Sequence, residues 1–394
     1  MNIALKGKNK NHPKNNLFSI QLSLIFLSTR VIMKILFVLE NYYPHIGGVE
    51  TLFKNLCESL VKAGHGITVI TTQKNKEDLR SETLNGVFIK RLPFNDRYLF
   101  TFFSFFPILK ICGDFDLIQT TSYNAGLPAR FAGFFRRKKV LITFHEVWGD
   151  LWYELPFMSK PGQLLHKLFE KLLLNLKFKK YIAVSQSTAN NLEVNGVSRS
   201  RIVTIYNGMD YKELHVDKVE INEPKTFTYF GRLGMSKGIE IVVEAAHLMK
   251  QSGCKANVQL IVPLEPAHFL KTIKDLIKEK DLKDFIGMKH NLTFEELKIQ
   301  IATSFCILLP SYSEGFCYAA VESMAIKTPI ISSGRGALKE VVGGKYLEMK
   351  ELSGKELFYC MQEAINENWI EKPYPKFELS DTVKNYMALY AKLV

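Results

Sequence analysis

Four charged side chains carry most of the chemistry this sequence offers. Glu314 stands just before, and Glu322 within, a run containing Ala319, Ala320, Val321, Met324 and Ala325 that reads as a helix, and Arg232 and Lys237 stand five residues apart in GRLGMSKG. Carried on one helix, the two glutamates would lie about 12 Å apart along the axis and within about 80° of each other around it. That separation suits a long ligand with a sugar at one end, a ribose at the other and phosphates between. The plain alternative is a capping carboxylate plus a solvated glutamate. Arg232 brings a planar fork and Lys237 a point charge, and at a turn from strand to helix the free amides of the helix start would join them on one anion. Taken singly, either cation reads as half of a surface salt bridge.

Two further features sit where an α/β sheet places its ligands. Gly47-Gly48 follows the apolar run Lys34–Leu39, and His145 ends the run Val140–Phe144. In parallel sheets the carboxyl ends of the strands face the binding crevice, so a glycine pair there admits a ligand to the backbone and a histidine there meets it. An ordinary turn and a locally satisfied histidine are the bland counterparts. Trp148, Trp152 and Tyr153 follow, as a stacking wall for a sugar or as loop packing.

Stretches of continuous apolar residues alternate with helical periodicity along the chain. Lys34–Leu39, Ile67–Thr72, Asp116–Gln119, Val140–Phe144, Tyr181–Val184 and Ile202–Tyr206 read as buried parallel strands of one sheet. A charged, non-periodic stretch, Tyr211–Pro224, reads as a linker. Thr226–Phe230, Val258–Val262, Ile307–Pro310 and Pro329–Ser332 then complete a second sheet. Strand and helix alternate throughout, which predicts an α/β fold of two Rossmann-like halves.

The 394 residues are 47% hydrophobic and 23% charged, a globular composition with room for two domains. A net charge of +13 points to an anionic partner: nucleotide, nucleic acid or acidic membrane. No nucleic-acid recognition motif accompanies the charge. Six scattered cysteines without a CxxC pair read as reduced thiols in a cytoplasmic protein, with no metal site. The Phe-rich segment Phe94–Leu109 reads first as core. Its other reading is an exposed apolar edge, with RRKK at 136–139 and the cationic helical run Gln163–Lys180 touching an anionic membrane peripherally. Residues 1–32 are polar and basic, then apolar for about a dozen residues, short of the roughly 20 that a span needs. They read as a disordered extension or a start placed too far upstream, with a signal or anchor as the alternative.

Taken in order, NYYPHIGGVE, TFHE, YNGMD, GRL followed by SKG, and PSYSEGFCYAAVESMAIKTPII resemble the retaining glycosyltransferases of family 4, with the E-x7-E signature falling on Glu314 and Glu322. The resemblance spans about residues 33–350, and the tail resembles a C-terminal helix that crosses back to the first domain. It implies the GT-B fold, two Rossmann-like domains facing each other across a cleft: 33–222 for the acceptor, 223–375 for the nucleotide-sugar donor, and 376–394 as the returning helix. It implies transfer of a hexose from a UDP- or GDP-linked sugar to a saccharide or lipid-linked acceptor, with retention and with no cofactor or metal. In that scheme Arg232 and Lys237 hold the diphosphate, and Glu322 the ribose. Glu314, with Gly315 and the amides of Phe316, Cys317 and Tyr318, contacts the sugar and phosphate. His145 approaches the sugar, and Gly47 and Gly48 line the crevice. The same fold without turnover, a non-catalytic protein that binds nucleotide sugars, is the alternative. Cys317 and Lys327 stand where the family usually has small residues or glycine, and VPLEPAHF (Val262–Phe269) replaces its Gly-rich loop near the base.

Overall fold

The computed structural model describes residues 32–45, 47–75, 77–216, 219–221 and 223–394. The expectation for the N-terminal extension therefore lies outside the described residues. Eight strands form the first sheet: β1 (Lys34–Val38), β2 (Gly66–Thr72), β3 (Ser81–Leu84), β4 (Val87–Leu92), β5 (Leu117–Thr121), β6 (Lys139–Phe144), β7 (Lys180–Ala183) and β8 (Ile202–Thr204). Their spatial order is β3-β4-β2-β1-β5-β6-β7-β8, and every pair is parallel except β3 with β4. The central strands are buried on both faces, which is why they read as continuous apolar runs.

One face of this sheet is covered by α1 (Gly48–Lys62), the other by α2 (Arg97–Phe103), α3 (Phe105–Ile111), α4 (Gly126–Phe135), α5 (Lys160–Asn175) and α6 (Gln186–Val194). The second sheet comprises β9 (Lys225–Phe230), β10 (Ala256–Ile261), β11 (Ile286–Lys289), β12 (Cys306–Leu309), β13 (Ile330–Ser332), β14 (Gly344–Glu348) and β15 (Ile370–Lys372) in the order β11-β10-β9-β12-β13-β14-β15. Its helices are α7 (Ile239–Gln251), α8 (Ala267–Glu279), α9 (Phe294–Thr303), α10 (Tyr318–Ile326), α11 (Leu338–Val341) and α12 (Gly354–Ile365).

The last helix, α13 (Leu379–Ala391), lies on the first sheet's side of the molecule. Tyr386 hydrogen-bonds Thr143 at 3.0 Å, the Tyr390 hydroxyl donates to Gln119 at 3.1 Å, and both tyrosines are buried beside α1. A clasp between the halves involves Glu340 of α11, whose carboxylate accepts from the Gln186 and Ser187 amides at 3.1 and 2.8 Å and from the Tyr206 hydroxyl at 2.7 Å. A carboxylate at the N-terminus of α6 is favoured by the helix dipole as well as by the hydrogen bonds.

Two expectations are corrected. The Phe-rich segment is not simply core: Phe100 and Ile108 point inward, whereas Phe102, Phe103 and Phe106 stand in solvent. Two seven-residue helices, α2 and α3, each have an inner and an outer side, and phenylalanine occupies both. The helical run expected over Gln163–Lys180 spans Lys160–Asn175 and gives way to a loop before β7. Among the described residues no helix is long and apolar enough to cross a membrane.

Candidate active site

A cleft of about 1430 Å³ opens between the two sheets. Gly47, Gly48 and His145 reach it from the first half; Arg232, Lys237, Glu314, Gly315, Phe316, Cys317, Tyr318 and Glu322 reach it from the second. The sequence scatters them from position 47 to position 322, and the fold brings all of them to the carboxyl ends of their strands. Gly47 precedes α1, and the Arg232 guanidinium lies close enough that a Cβ on Gly47 would meet its Nη1 at 3.5 Å. Gly48 opens α1 against the ring of Tyr318. Gly315 meets the backbone of the first half so closely that any Cβ there would overlap the His145 carbonyl oxygen.

Lys237 and Glu314 are joined at 2.8 Å, and the Ser311 hydroxyl donates to the same Glu314 oxygen at 2.7 Å. Burial lowers the Lys237 pKa, but the Glu314 carboxylate outweighs it and the net shift is upward, so the lysine stays charged. Arg232 has no carboxylate partner among the described residues and is exposed in the cleft, a free fork for an anion. His145 is held neutral: burial first, then the Arg232 charge, push it down to about 3. Its ring meets Phe53 edge-on at 6.1 Å, and its Nε2 has no hydrogen-bond partner among the described residues. Glu146 is pushed up to about 8 by burial and then by Glu314, so at neutral pH it is a protonated carboxyl in the cleft wall. Burial alone raises Glu322 to about 7.

The expected spacing of the two glutamates is corrected by the backbone. Glu314 precedes the helix, and α10 begins only at Tyr318, after Cys317 at φ 73°. The distance arithmetic of a continuous helix therefore does not apply between them. The turn instead leaves the amides of Phe316 and Cys317 without a hydrogen-bond acceptor among the described residues, beside the N-terminus of α10. The Phe316 side chain itself is core, packed at 5.3 Å against Tyr318 and 5.1 Å against Phe377. Lys327, at φ 67°, ends α10 in the left-handed conformation that usually takes glycine. Two of the three departures from the family pattern, Cys317 and Lys327, thus fall on left-handed backbone. Replacing Lys327 with glycine is expected to stabilise the protein by about 1 kcal/mol, read as a higher denaturation midpoint at unchanged slope. Cys317→Gly is expected to act in the same direction.

Other residues reach the cleft that sequence reasoning did not single out. Asn124 donates to Glu40 at 2.6 Å, and Arg97 approaches Glu40 at 3.5 Å on the wall of the first half. Glu50, in the first turn of α1, is buried with Oε2 unpartnered among the described residues. Both glutamates belong to the stretch from Glu40 to Glu50, which ends β1 and starts α1, so their place in the strand–loop–helix unit was the available signal. The tryptophans form a wall, with Trp148 and Trp152 5.6 Å apart. Buried Glu170 holds them: it accepts from the Trp148 and Gly149 amides at 2.9 and 2.7 Å, from the Trp152 indole at 3.2 Å and from the Tyr123 hydroxyl at 2.8 Å. Nothing in the sequence separates this glutamate from a solvated helix residue.

Two Rossmann-like domains enclosing a cleft, with the last helix returned to the first, give the GT-B fold, and the family models that match both halves make the chain a glycosyltransferase. Residues 46–213 match Glycosyltransferase Family 4, and residues 210–347 match Glycosyl transferases group 1. The chain belongs to that family. It is 22% identical over 350 residues, covering 85% of this chain and 74% of the other, to a component of the phosphatidylinositol N-acetylglucosaminyltransferase of Arabidopsis thaliana. It is 23% identical over 252 residues to an O-antigen chain mannosyltransferase of Salmonella typhimurium, covering 62% of this chain and 64% of that one. In fold it is similar to sucrose-phosphate synthase of Thermosynechococcus elongatus, with a TM-score of 0.73, 20% identity and coverage of 92% and 99%. The Anabaena protein HepE in complex with UDP-glucose gives a TM-score of 0.69, 16% identity and coverage of 92% and 100%. These two likenesses are likenesses of fold.

Proposed function

We propose that the enzyme transfers a hexose, with retention, from a UDP- or GDP-linked sugar to a saccharide or lipid-linked acceptor in cell-surface glycan synthesis. The observation that supports this best is the convergence of Arg232, Lys237, the α10 N-terminus and His145 on one cleft whose walls come from both domains. In this reading the bond between the anomeric carbon and the phosphate oxygen breaks. A bond from the acceptor oxygen forms on the same face, and the acceptor proton passes to the leaving phosphate. Arg232, Lys237 and the free amides at α10 stabilise the departing diphosphate, so the scheme requires no metal. Glu314 and neutral His145 flank the sugar, and Glu322 accepts from the ribose hydroxyls. The UDP-glucose held by HepE and the mannosyl and N-acetylglucosaminyl transfer named for the relatives favour a nucleotide-sugar donor. Six unpaired cysteines fit a reducing cytoplasmic compartment.

Thermal melting with UDP-, GDP- and ADP-linked sugars tests the donor. The true donor at a hundredfold excess over its dissociation constant is expected to add about 2.7 kcal/mol of stability, and silence from all three would overturn the reading. Nuclear magnetic resonance of the product anomer tests retention, which an inverted product would refute.

Glu322 gives the donor site a pH dependence of definite sign. Its pKa of about 7 means that the acceptor form of the carboxyl is depleted below neutrality. A nucleotide-diphosphate sugar has no group titrating in that range, so donor affinity is expected to fall about tenfold from about pH 8 to about pH 6. Calorimetric titration of Glu322→Gln should show weaker binding and a flattened profile. An unchanged profile would remove Glu322 from the ribose.

A further inference from the structure

The helices on one face of the first sheet carry an outer surface that glycosyl transfer does not use. Phe102, Phe103, Phe106, Phe134, Phe135 and Leu165 are each more than half exposed, Phe106 reaching 70%. Ring contacts knit α3 and α4 into one patch: Phe105 meets Phe106 at 5.1 Å and Phe135 at 5.9 Å, and Phe134 meets Phe135 at 5.6 Å. An apolar surface this continuous is unusual on a protein meant to face water alone.

The patch has two ends. At one, Phe102 and Leu165 line the donor cleft. At the other, Phe134 borders a second cavity of about 610 Å³, at the opposite edge of the sheet where β6 and β7 begin. Eight lysines and arginines line that cavity and no carboxylate does. Arg130 spends its Nε on the Lys177 carbonyl, and Lys180 donates to the Ser200 carbonyl. Arg137, Lys138, Lys177, Lys179 and Arg201 have neither an ion pair nor a side-chain hydrogen bond among the described residues. So many uncompensated cations around one hollow repel one another until an outside anion neutralises them.

We propose that this face docks the protein on an anionic phospholipid bilayer, the phenylalanines entering the boundary of the acyl chains and the basic cavity receiving lipid phosphates. Apolar side chains beside a cationic cluster are the two signals that stable peripheral attachment combines. A second copy of the chain fits the face poorly, because a two-fold contact across the patch brings like charges together. Since the patch ends at the cleft, docking turns the cleft mouth to the bilayer and gives a lipid-linked acceptor the shortest way in. That last step rests on the transfer reading, whereas the docking does not.

Sedimentation of the full chain with phosphatidylcholine vesicles, alone or mixed with phosphatidylglycerol, tests the proposal. Binding is expected to the mixed vesicles only. Each cation at such a surface contributes about fivefold, so Lys138→Glu combined with Lys177→Glu and Lys179→Glu should weaken partitioning by at least about a hundredfold. Phe106→Ser with Phe134→Ser and Phe135→Ser should remove the binding that survives high salt. All six positions are outside the donor cleft, so the donor-induced thermal shift should persist in both variants and certify their fold. Equal binding to phosphatidylcholine alone, binding untouched by both variants, or a vesicle-free dimer that the serine variant splits would each overturn docking. Vesicle binding is read without turnover, so its failure and a failure of the transfer reading are separate results.

Discussion

Replacing Gly315 with alanine is expected to abolish transfer while leaving both domains folded. The added methyl would sit 1.4 Å from the His145 carbonyl oxygen and 2.6 Å from its carbonyl carbon, and backbone cannot swing aside as a flexible side chain would. The clash is between the halves and not within either. Gly315 follows β12 of the second sheet, and His145 follows β6 of the first. Relief therefore comes from opening the cleft, which withdraws His145 from Glu314, Arg232 and Lys237. Positioning errors of about 1 Å are enough to cost about a hundredfold in rate, so a loss of at least that size is expected in kcat/KM. Opening also disturbs the apolar cluster that takes in Val184 of the first half and Phe316 of the second, and the Glu340 clasp, so a destabilisation of about 1 to 3 kcal/mol is expected while the core of each domain stays folded. Small-angle scattering should report a larger radius of gyration. A variant that kept activity within about threefold would show that the approach of Gly315 to His145 is not required for turnover.

The parts of this architecture that were legible in the sequence share a physical reason. β1, β6 and β12 are buried on both faces, so each wrote an uninterrupted apolar run that periodicity could find to within a residue or two. The hairpin of β3 and β4 was missed because SETL is half-exposed and polar, and VFIKRL, though mostly buried, interrupts its apolar run with Lys90 and Arg91. Its turn was nevertheless written plainly: Asn85-Gly86, with φ of 49° and 81°, is the dipeptide that a tight hairpin prefers. The residues that meet in the cleft were picked out by the ordered motifs that resemble a family, because each cation or carboxylate taken singly reads equally as a surface salt bridge or a cap. Their mutual geometry was not, since the left-handed turn at Cys317 runs against that residue's own preference and is imposed by tertiary contacts. The exposure of the Phe-rich helices and the buried hub at Glu170 were hidden for a related reason. Composition says what a side chain would like to bury, and only the assembled neighbours say whether it is buried.

Lys237→Ala is expected to cut kcat/KM by about a thousandfold, and the reason lies in the pair it belongs to. Removing one preorganised donor to a developing oxyanion costs about a hundred- to a thousandfold. Here a second loss follows, because the same ammonium holds Glu314 at 2.8 Å and leaves it only the Ser311 hydroxyl when removed. Glu146 is already pushed up to about 8 by burial and by the nearby Glu314 charge. The Lys237 charge opposes that rise, so without it Glu146 holds its proton more firmly, and Glu314 loses the partner that fixes what it offers the donor sugar. Lys237→Arg should not rescue the activity, because a planar fork cannot occupy the position of a point charge in this contact. If the pair acts as a unit, the double variant Lys237→Ala with Glu314→Ala should lose about as much as the lysine variant alone. Measured kcat/KM values for the two single variants and the double variant decide between these cases. Additive losses would place Lys237 on the phosphate and Glu314 on the sugar as independent contacts. Non-additive losses would make their ion pair the element that sets the geometry of both ends of the donor.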